Sequence, residues 1–295
     1  MAKGNIGNLL QHFVGLNCIE RLVRDWEYTN SYKESPEPID YIDCYSMAPW
    51  EPVEGRNPQG FVQQINTFPQ KAAGGDMVAC TFIKAWNQQY GVGANVPGSP
   101  RDRDYPNTAV LLKTAFPDQA WNMRLHDIDP MKRAQLSAWA RAQAPGTYEV
   151  EGAWRESGLI RRRPASSDHP VVVMLDPYQL VQDDHAKDGE TGYLSEQELV
   201  FLLGRHMLDL LPRQSGKDAP GLILLFSYAD SDPDQTDNLV RSVLSNTEWH
   251  VEQVRAGPYR VHTNSTFHQG WVASCGLPTP LVAPSLQGAW DSWLM

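Results

Sequence analysis

The sequence predicts an α/β protein built on a Rossmann-like, mainly parallel sheet, and two observations lead to this prediction. Apolar runs of strand length alternate with segments of helical periodicity along most of the chain. The run Val171–Leu175 (VVVML) has no polar alternation, which is typical of a parallel strand covered on both faces. Because parallel strands need crossover connections, the alternation indicates right-handed βαβ units.

The first element is an amphipathic helix, since the apolar residues from Ile6 to Val23 recur at steps of three and four. Residues 1–38 are predicted as an N-terminal helical lid with its linker, and residues 39–295 as the α/β domain. An insertion rich in Pro, Gly and Gln is expected around 50–106. The other predicted strands are Ile39–Asp43, 121–125, 147–150, Val171–Leu175 and 222–226, with a closing antiparallel hairpin at 259–264 and 270–275. The other predicted helices are 108–116, 131–144, 154–160, 195–211 and 234–245, and an apolar element of unassigned type spans 77–86.

Composition narrows the function classes. The 295 residues are 41% hydrophobic, and 35 Asp and Glu against 25 Lys and Arg give a net charge of −10. A field of that sign repels phosphate backbones, so nucleic acid is not expected as a partner. The four cysteines are far apart, which argues against a disulfide framework or a zinc site. No signal peptide or membrane-spanning run is visible, so a cytoplasmic protein is expected.

Four of the predicted strands end on an acid or are closely followed by one: Asp43, Asp127, Glu151 and Asp176. The carboxyl ends of parallel strands share one edge of a sheet, and ligands bind there. In nucleoside-binding folds an acid one βα unit after the first strand binds the ribose hydroxyls, which fits Asp127, with Asp129 as its rival. Glu151 is placed to accept from an adenine amino group. The alternative for each acid alone is a turn residue without a ligand.

Four motifs occur in an order that resembles a known family. They are GNIGNLLQH at residues 4–12, DCYSMAP at 43–49, YPNT at 105–108 and DPYQ at 176–179. In this order they resemble the class I S-adenosylmethionine (SAM) methyltransferases, most closely the large-subunit ribosomal RNA adenine-N6 methyltransferase family. A fainter likeness is to the three-cysteine-motif partner proteins, whose Asp-Pro-Tyr also has a single proline.

The resemblance implies a Rossmann-like class I methyltransferase fold that binds SAM without a metal. It assigns Asp176 and Tyr178 to catalysis. Ser227 is added because it follows an apolar strand at the same edge of the sheet. The residues predicted to contact SAM are Asn5, His12, Asp43, Ser46, Asp127, Glu151, Pro177 and Ser227.

The sequence departs from the family pattern in the first SAM-binding loop and, more often, at the groups that bind the target base of RNA. Met47 and Pro49 stand where the first loop of the family has glycines, which implies a reshaped cradle for the methionine end of SAM. Tyr178 lies one place early, so Gln179 occupies the position of the base-stacking aromatic. Asn8 and Gln11 replace a charged pair of the first helix. The acids that hold SAM are retained better than these groups.

The sequence therefore predicts an enzyme that acts by SN2 displacement at SAM on a small amine nucleophile. That amine belongs either to a separate acceptor, giving methyl transfer, or to SAM itself. In the second case attack on the γ-carbon releases methylthioadenosine and azetidine-2-carboxylate. Asp176 is expected to orient the amine, and Tyr178 to face the sulfonium or to accept a proton.

Two alternatives stay open at this point. One is an RNA or DNA adenine-N6 methyltransferase, which a basic patch joining Arg161–Arg163 to Arg101, Arg103 and Lys113 would favour. The other is a scaffold with this fold that binds a partner and catalyses nothing. The histidines show no pairing typical of a metal site, and the sequence says nothing about oligomeric state.

Overall fold

A computed structural model describes residues 6–30, 37–52, 104–143, 146–154, 169–177, 179–181, 193–201, 219–229, 233–244, 249–261 and 264–282. Several predictions lie outside the described residues. They include the apolar element at 77–86, most of the helix at 154–160, Arg161–Arg163 and most of the insertion around 50–106.

The described strands are β1 (Ile39–Asp43), β2 (Trp50–Pro52), β3 (Asp104–Pro106), β4 (Trp121–His126), β5 (Gly146–Glu151), β6 (Val171–Leu175), β7 (Gln179–Val181), β8 (Tyr193–Ser195), β9 (Gly221–Ala229), β10 (His250–Val261) and β11 (Asn264–Cys275). The helices are α1 (Ile6–Thr29), α2 (Thr108–Ala115), α3 (Pro130–Ala140), α4 (Glu196–Phe201) and α5 (Pro233–Leu244).

The main sheet has the strand order β10-β11-β9-β6-β1-β4-β5. The pairs from β9 through β6, β1 and β4 to β5 are parallel, and β11 pairs antiparallel with both β9 and β10. The predicted mixed sheet, mainly parallel with an antiparallel C-terminal hairpin, is confirmed. Because β1 has β4 on one side and β6 on the other, the order reverses at β1, which is where such sheets open a crevice for ligands.

The closing hairpin is longer than the sequence predicted. Both β10 and β11 have 12 residues, whereas the prediction began the first strand at Tyr259. The β10–β11 register shifts between Ala256 and Tyr259, around Gly257-Pro258. Proline is tolerated at a bulge on an edge strand, so the Gly-Pro pair marks an irregularity inside β10 and not its beginning.

The helix predicted over 195–211 begins one residue later, because Ser195 ends β8 and caps α4. The Ser195 Oγ accepts from the Glu198 N–H at 3.2 Å, and the Glu198 carboxylate accepts from the Ser195 N–H at 2.9 Å. This reciprocal pair is a capping box. The three-residue strands β2, β3, β7 and β8 were not predicted, since such short runs show no periodicity.

Two hydrophobic clusters cover the two faces of the sheet. On one face α1 packs Leu10, Phe13 and Leu16 into the same cluster as Tyr41 of β1 and Met174 of β6. On the other face Val173 and Leu175 of β6 pack with Trp271 and with Val240 of α5. All five residues of β6 are buried, as the unbroken apolar run predicted. The predicted N-terminal helix is present and packs in the core of the sheet; its role as a lid and the division at residue 38 stay predictions.

Gly146 at the start of β5 provides a test of this sheet. Its φ is +127°, and a Cβ there would lie 2.0 Å from the Trp121 carbonyl oxygen of β4. We expect Gly146→Ala to lower the free energy of unfolding by about 2–4 kcal/mol, measured by urea denaturation. The matched control is Gly152→Ala, because nothing lies within 4 Å of a Cβ at that position. Equal denaturation midpoints for the two variants would contradict the β4–β5 packing.

Candidate active site

Strand register brings the predicted acids to one edge of the sheet, around β1. Asp43 lies level with Leu125 on β4 and with Met174 on β6. Asp127 and Asp176 therefore each lie two residues beyond that level, one on either side of β1. Glu151 at the end of β5 lies level with His126. The row of acids spans four adjacent parallel strands across the point where the strand order reverses.

Asp43 is the most buried of these acids, with 2% of its surface exposed. Its Oδ2 accepts from the Tyr41 hydroxyl at 3.1 Å, and its Oδ1 accepts from the Tyr45 backbone N–H at 3.0 Å. Tyr41 reaches the carboxylate because residues two apart on a strand share a face. Burial, with a smaller contribution from the nearby Asp127, raises the pKa of Asp43 to about 6 despite these hydrogen bonds. The carboxylate is therefore ionised at neutral pH, and none of the described residues forms an ion pair with it.

The loop after β1 is held by Ser46 and Asn107. The Ser46 hydroxyl donates to the Asp43 carbonyl oxygen at 3.2 Å and accepts from the His126 N–H at 3.2 Å. The Asn107 side-chain amide donates to the carbonyl oxygens of Ser46 and Met47. Because the Ser46 hydroxyl is committed to backbone groups, the structure shows it shaping the loop. Its predicted contact with SAM stays a prediction.

Met47 has a left-handed backbone, with φ at +61°. A side chain at such a φ costs roughly 1–2 kcal/mol, which is why glycine is favoured there. Position 47 is one of those at which the resembling family has glycine. The backbone at Met47 adopts a conformation suited to glycine although the residue is methionine, and the predicted reshaping of the cradle stays a prediction.

The loop is also hydrogen-bonded to an ion pair that the sequence did not predict. Glu51 accepts from the Ala48 N–H at 3.1 Å and pairs with Lys132 of α3 at 2.9 Å. Burial lowers the pKa of Lys132, but the hydrogen bond and charge of Glu51, together with Asp127 and Asp129, raise it overall. The ammonium group therefore stays charged beside the row of acids.

Asp127 and Asp129 have different environments. Asp127 is partly buried, its pKa is raised by that burial, and its Oδ1 accepts from the Asp129 N–H at 2.7 Å. Asp129 caps α3, since its Oδ1 accepts from the Met131 N–H at 2.8 Å. The Asp-Pro pair at 129–130 is a pattern typical of a helix start and identifies this cap in the sequence. Asp127 is thus the better placed of the two rivals for a ligand.

His126 lies fully buried behind Asp127, and sequence reasoning gave it no role. Burial lowers its pKa to about 4, so the imidazole is neutral at physiological pH. Its Nδ1 lies 4.0 Å from the Glu151 carboxylate. Since the imidazole is neutral, this contact is not an ion pair.

The chain after β6 turns across the end of β9. Asp176 is half-buried and Pro177 is buried, whereas Tyr178 lies outside the described residues. Gln179 begins β7 and is level with Tyr228 of β9. The Leu180 N–H donates to the Ser227 hydroxyl at 3.2 Å, so this predicted contact residue also anchors β7. Gln179, predicted in place of a stacking aromatic, is thus part of a strand.

His12 is brought to the YPNT motif by the packing of α1. Its Nδ1 lies 2.7 Å from the Tyr105 hydroxyl, and its Nε2 lies 3.1 Å from the Thr108 hydroxyl. Gln11 donates to the same hydroxyl at 3.4 Å. Two motifs that carry the family resemblance are therefore in direct contact. The other predicted residue of the first motif, Asn5, lies outside the described residues.

Three further expectations concern the described residues. No group of three or more His, Cys, Asp and Glu among them is arranged to hold a metal ion. None of their helices combines the length and the apolar character that crossing a membrane requires. Lys113 of the predicted basic patch lies in the last turn of α2, at the end away from Asn107, where it donates to the Pro117 carbonyl oxygen.

No protein-family model matches the chain, and no curated protein matches it significantly. Among solved structures it is similar to protein LPL1258 from Legionella pneumophila, described with the family model DUF519. The two are 13% identical with a TM-score of 0.56, and the alignment covers 98% of this chain and 94% of that one.

The chain is also similar, more weakly, to two solved structures whose descriptions mention SAM. TYW2 from M. jannaschii, in complex with AdoMet, is 9% identical with a TM-score of 0.40, over 92% of this chain and 76% of its own. A putative class I SAM-dependent methyltransferase from Listeria monocytogenes is 11% identical with a TM-score of 0.37, over 100% of this chain and 72% of its own. The predicted fold class is confirmed as a Rossmann-like, mainly parallel α/β sheet with an antiparallel C-terminal hairpin. Identities this low establish the fold alone.

Asp43 makes stability depend on pH in a defined direction. Because its pKa is raised from 3.8 to about 6 in the folded state, its stabilising contribution is complete below about 3.8 and is lost as pH rises through about 6. We expect Asp43→Asn to raise the free energy of unfolding at pH 7.5 by about 1–3 kcal/mol, with most of the gain gone near pH 4. Urea denaturation at the two pH values measures this difference. The control is Asp118→Asn at an exposed position; a gain for Asp43→Asn that is equal at both pH values would contradict a buried ionised carboxylate.

Proposed function

We propose that the protein is an enzyme that uses SAM and promotes an SN2 displacement at its sulfonium by a small amine nucleophile. The observation that carries the proposal is the carboxylate of Asp43 buried where the strand order reverses, with Asp127 and Asp176 following on the two neighbouring strands. A buried carboxylate needs a hydrogen-bonding or cationic partner, and SAM carries both an ammonium and a sulfonium.

The described residues fit the parts of SAM in spatial order. The Asp127 carboxylate, partly buried and still able to accept, suits the ribose hydroxyls, and Glu151 on the next strand suits the adenine amino group. Asp43 and the left-handed loop at Met47 lie on the β6 side of Asp127, where the amino acid end of SAM is expected. When bound, SAM supplies an electrophilic carbon next to a positively charged sulfur.

Asp176 and Tyr178 are proposed to act on the nucleophile. Asp176 is half-buried and directly follows the fully buried β6, at the carboxyl end of that strand. There it accepts a hydrogen bond from the amine and directs the lone pair towards the electrophilic carbon, which is catalysis by orientation. Tyr178 is proposed either to place its aromatic ring against the sulfonium or to accept the proton that the amine releases.

The nucleophile has two possible sources with different products. An amine of a separate acceptor takes the methyl group and leaves S-adenosylhomocysteine. The α-amine of SAM attacking its own γ-carbon breaks the bond between that carbon and the sulfur, and leaves methylthioadenosine and azetidine-2-carboxylate. In both cases the amine loses one proton after the C–N bond forms, and the sulfur takes the electron pair of the broken bond.

Nucleic acid methylation is less well supported. The net charge of −10 opposes binding of a phosphate backbone, and the edge of the sheet carries acids. Lys113 lies at the far end of α2, turned to Pro117. Proposed partners are thus a small acceptor or SAM alone, in the cytoplasm, with neither nucleic acid nor a membrane.

Incubation of the purified protein with SAM, with and without a panel of small amines, tests the reaction. We expect methylthioadenosine with azetidine-2-carboxylate from SAM alone, or S-adenosylhomocysteine that depends on an added amine, detected by mass spectrometry. Asp176→Asn should lower turnover by about two orders of magnitude, because it removes a charge used mainly in the transition state. Asp129→Asn is the control, since asparagine also caps a helix and should leave turnover unchanged. Normal turnover in Asp176→Asn would remove Asp176 from the mechanism.

SAM affinity should depend on Asp127. Loss of a charge-assisted hydrogen bond to the ribose typically costs roughly 1.5–3 kcal/mol, so Asp127→Ala should bind SAM at least about tenfold more weakly by calorimetry. Asp129→Ala, which removes only the cap of α3, should bind with nearly the parent affinity at a temperature where it is folded. The opposite ranking of the two variants would assign the ribose to Asp129.

A further inference from the structure

We propose that Glu51 is a positioning residue that keeps the Asp127 carboxylate open to the ligand by holding Lys132 away from it. Three acids act electrostatically on this lysine, namely Glu51, Asp127 and Asp129, and Lys132 forms its ion pair with Glu51 at 2.9 Å. An ammonium group paired with Asp127 instead would occupy the carboxylate that the proposed function assigns to the ribose. The identity of the ligand therefore rests on the proposed function, whereas the competition for Lys132 rests on the contacts of these four residues.

Glu51 holds the lysine from a fixed position. It lies in β2 level with Tyr105 of β3, and the Tyr105 hydroxyl is hydrogen-bonded to His12 of α1 at 2.7 Å. The Glu51 Oε1 that pairs with Lys132 also accepts from the Ala48 N–H at 3.1 Å. Only 14% of the Glu51 side chain is exposed. Because the carboxylate is already held in place, its pairing with the lysine costs little further side-chain freedom.

Asp129 is a weaker competitor for the lysine, and Asp127 is the acid left open. Asp129 caps α3, since its Oδ1 accepts from the Met131 N–H at 2.8 Å. The Asp127 Oδ1 accepts from the Asp129 N–H at 2.7 Å. Arg133, the other cation of this turn, donates to the carbonyl oxygens of Asp127 and Ile128. Within the described part of the chain, no side chain pairs with the Asp127 carboxylate, so it stays free for a ligand.

Lys132 lies where a helix disfavours a cation. The helix α3 has Asp129 as its cap and begins at Pro130, so Lys132 is its third residue, and its first turn contains no acid. The free backbone N–H groups give this end of a helix a partial positive charge, which repels an ammonium group. Lys132 therefore depends on an acid outside the helix, and without Glu51 the nearby acid with an open carboxylate is Asp127.

The two partners of the ion pair act on the pKa of Asp127 in opposite directions. Burial raises this pKa, the charge of Lys132 lowers it, and the charge of Glu51 raises it. Glu51→Gln removes the negative charge and keeps an oxygen that accepts from the Ala48 N–H. If the lysine then turns to Asp127, the pKa of Asp127 falls for two reasons at once.

The first test needs no ligand. Carboxyl ¹³C shifts, assigned with Asp127→Asn, follow the titration of Asp127 in the parent, Glu51→Gln, Lys132→Met and the double variant. We expect Glu51→Gln to lower the pKa of Asp127 more in the parent background than in the Lys132→Met background, because only the former has a lysine that can move. Equal decreases in both backgrounds would mean that Glu51 acts by its own charge alone, and would overturn the proposal.

The second test measures SAM affinity at pH 7.5 by calorimetry in the same four proteins. Glu51→Gln should weaken binding about three- to tenfold, because the ribose must displace a partly exposed ion pair from Asp127. Lys132→Met should bind within about twofold of the parent, and adding it to Glu51→Gln should restore the affinity. The defect of Glu51→Gln should also shrink as salt is raised from about 0.05 to 0.5 M, since salt screens such a pair.

A matched variant and the remaining outcomes separate this role from others. Glu149→Gln removes the same charge from another ion pair of the sheet, with Arg124, and should leave the affinity unchanged. A double variant as weak as Glu51→Gln would mean that Glu51 only supports the loop, and weak binding by Lys132→Met alone would assign Lys132 to the ligand; either result contradicts the proposal. Absence of SAM binding by the parent would reject the proposed function, while the carboxyl titrations would still decide whether Glu51 holds Lys132 away from Asp127.

Discussion

Keeping the Asp43 carboxylate charged inside the protein is the constraint on which the rest of the site depends. Burial of an isolated carboxylate is costly, and it raises the pKa of Asp43 to about 6. Hydrogen bonds from Tyr41 and Tyr45 offset part of that cost. The position of Asp43 follows from the sheet, because the strand order reverses at β1 and leaves its carboxyl end open between two crossovers. A carboxylate that costs stability without its ligand is typical of a binding site.

The loop after β1 is built to serve this carboxylate. Ser46 joins the loop to β1 and β4 at once, and Asn107 holds two of the loop carbonyl groups from the start of α2. These contacts stabilise the left-handed backbone at Met47 against its intrinsic cost. The loop lies at the edge of the sheet that carries the acids, and both residues that hold it, Ser46 and Asn107, are buried.

The packing of α1 on the sheet connects this helix to the start of α2, which holds the loop. The helix buries its apolar face on the sheet and presents His12 to Thr108 in the same layer. The N-terminal helix is therefore joined to the start of α2 by packing and by hydrogen bonds together. This double connection explains why polar residues as buried as Gln11 and His12 lie on a helix that is otherwise apolar on that side.

The sequence by itself determined the elements and the row of acids. Strands such as Val171–Leu175 and Ile39–Asp43 have the predicted bounds, because hydrophobic periodicity and the turn residues that end a strand are local properties. Asp127 and Asp176 followed from the same rule, since the residue after a buried strand is read directly from the chain. The local pattern failed where a run was too short for periodicity, as in β7, and where Gly257-Pro258 bulged inside β10.

The tertiary structure alone decided which partners hold these acids. His12 and Thr108 are 96 residues apart in the sequence, and Lys132 and Glu51 also come from distant segments. No local sequence pattern therefore predicts either contact. Asp127 and Asp129 are two positions apart and were rival candidates in the sequence. The structure separates their roles, because Asp129 caps α3. Hydrogen-bond partners of buried polar groups depend on how helices pack on the sheet, and that packing is set by the whole apolar core and not by the residues near the site.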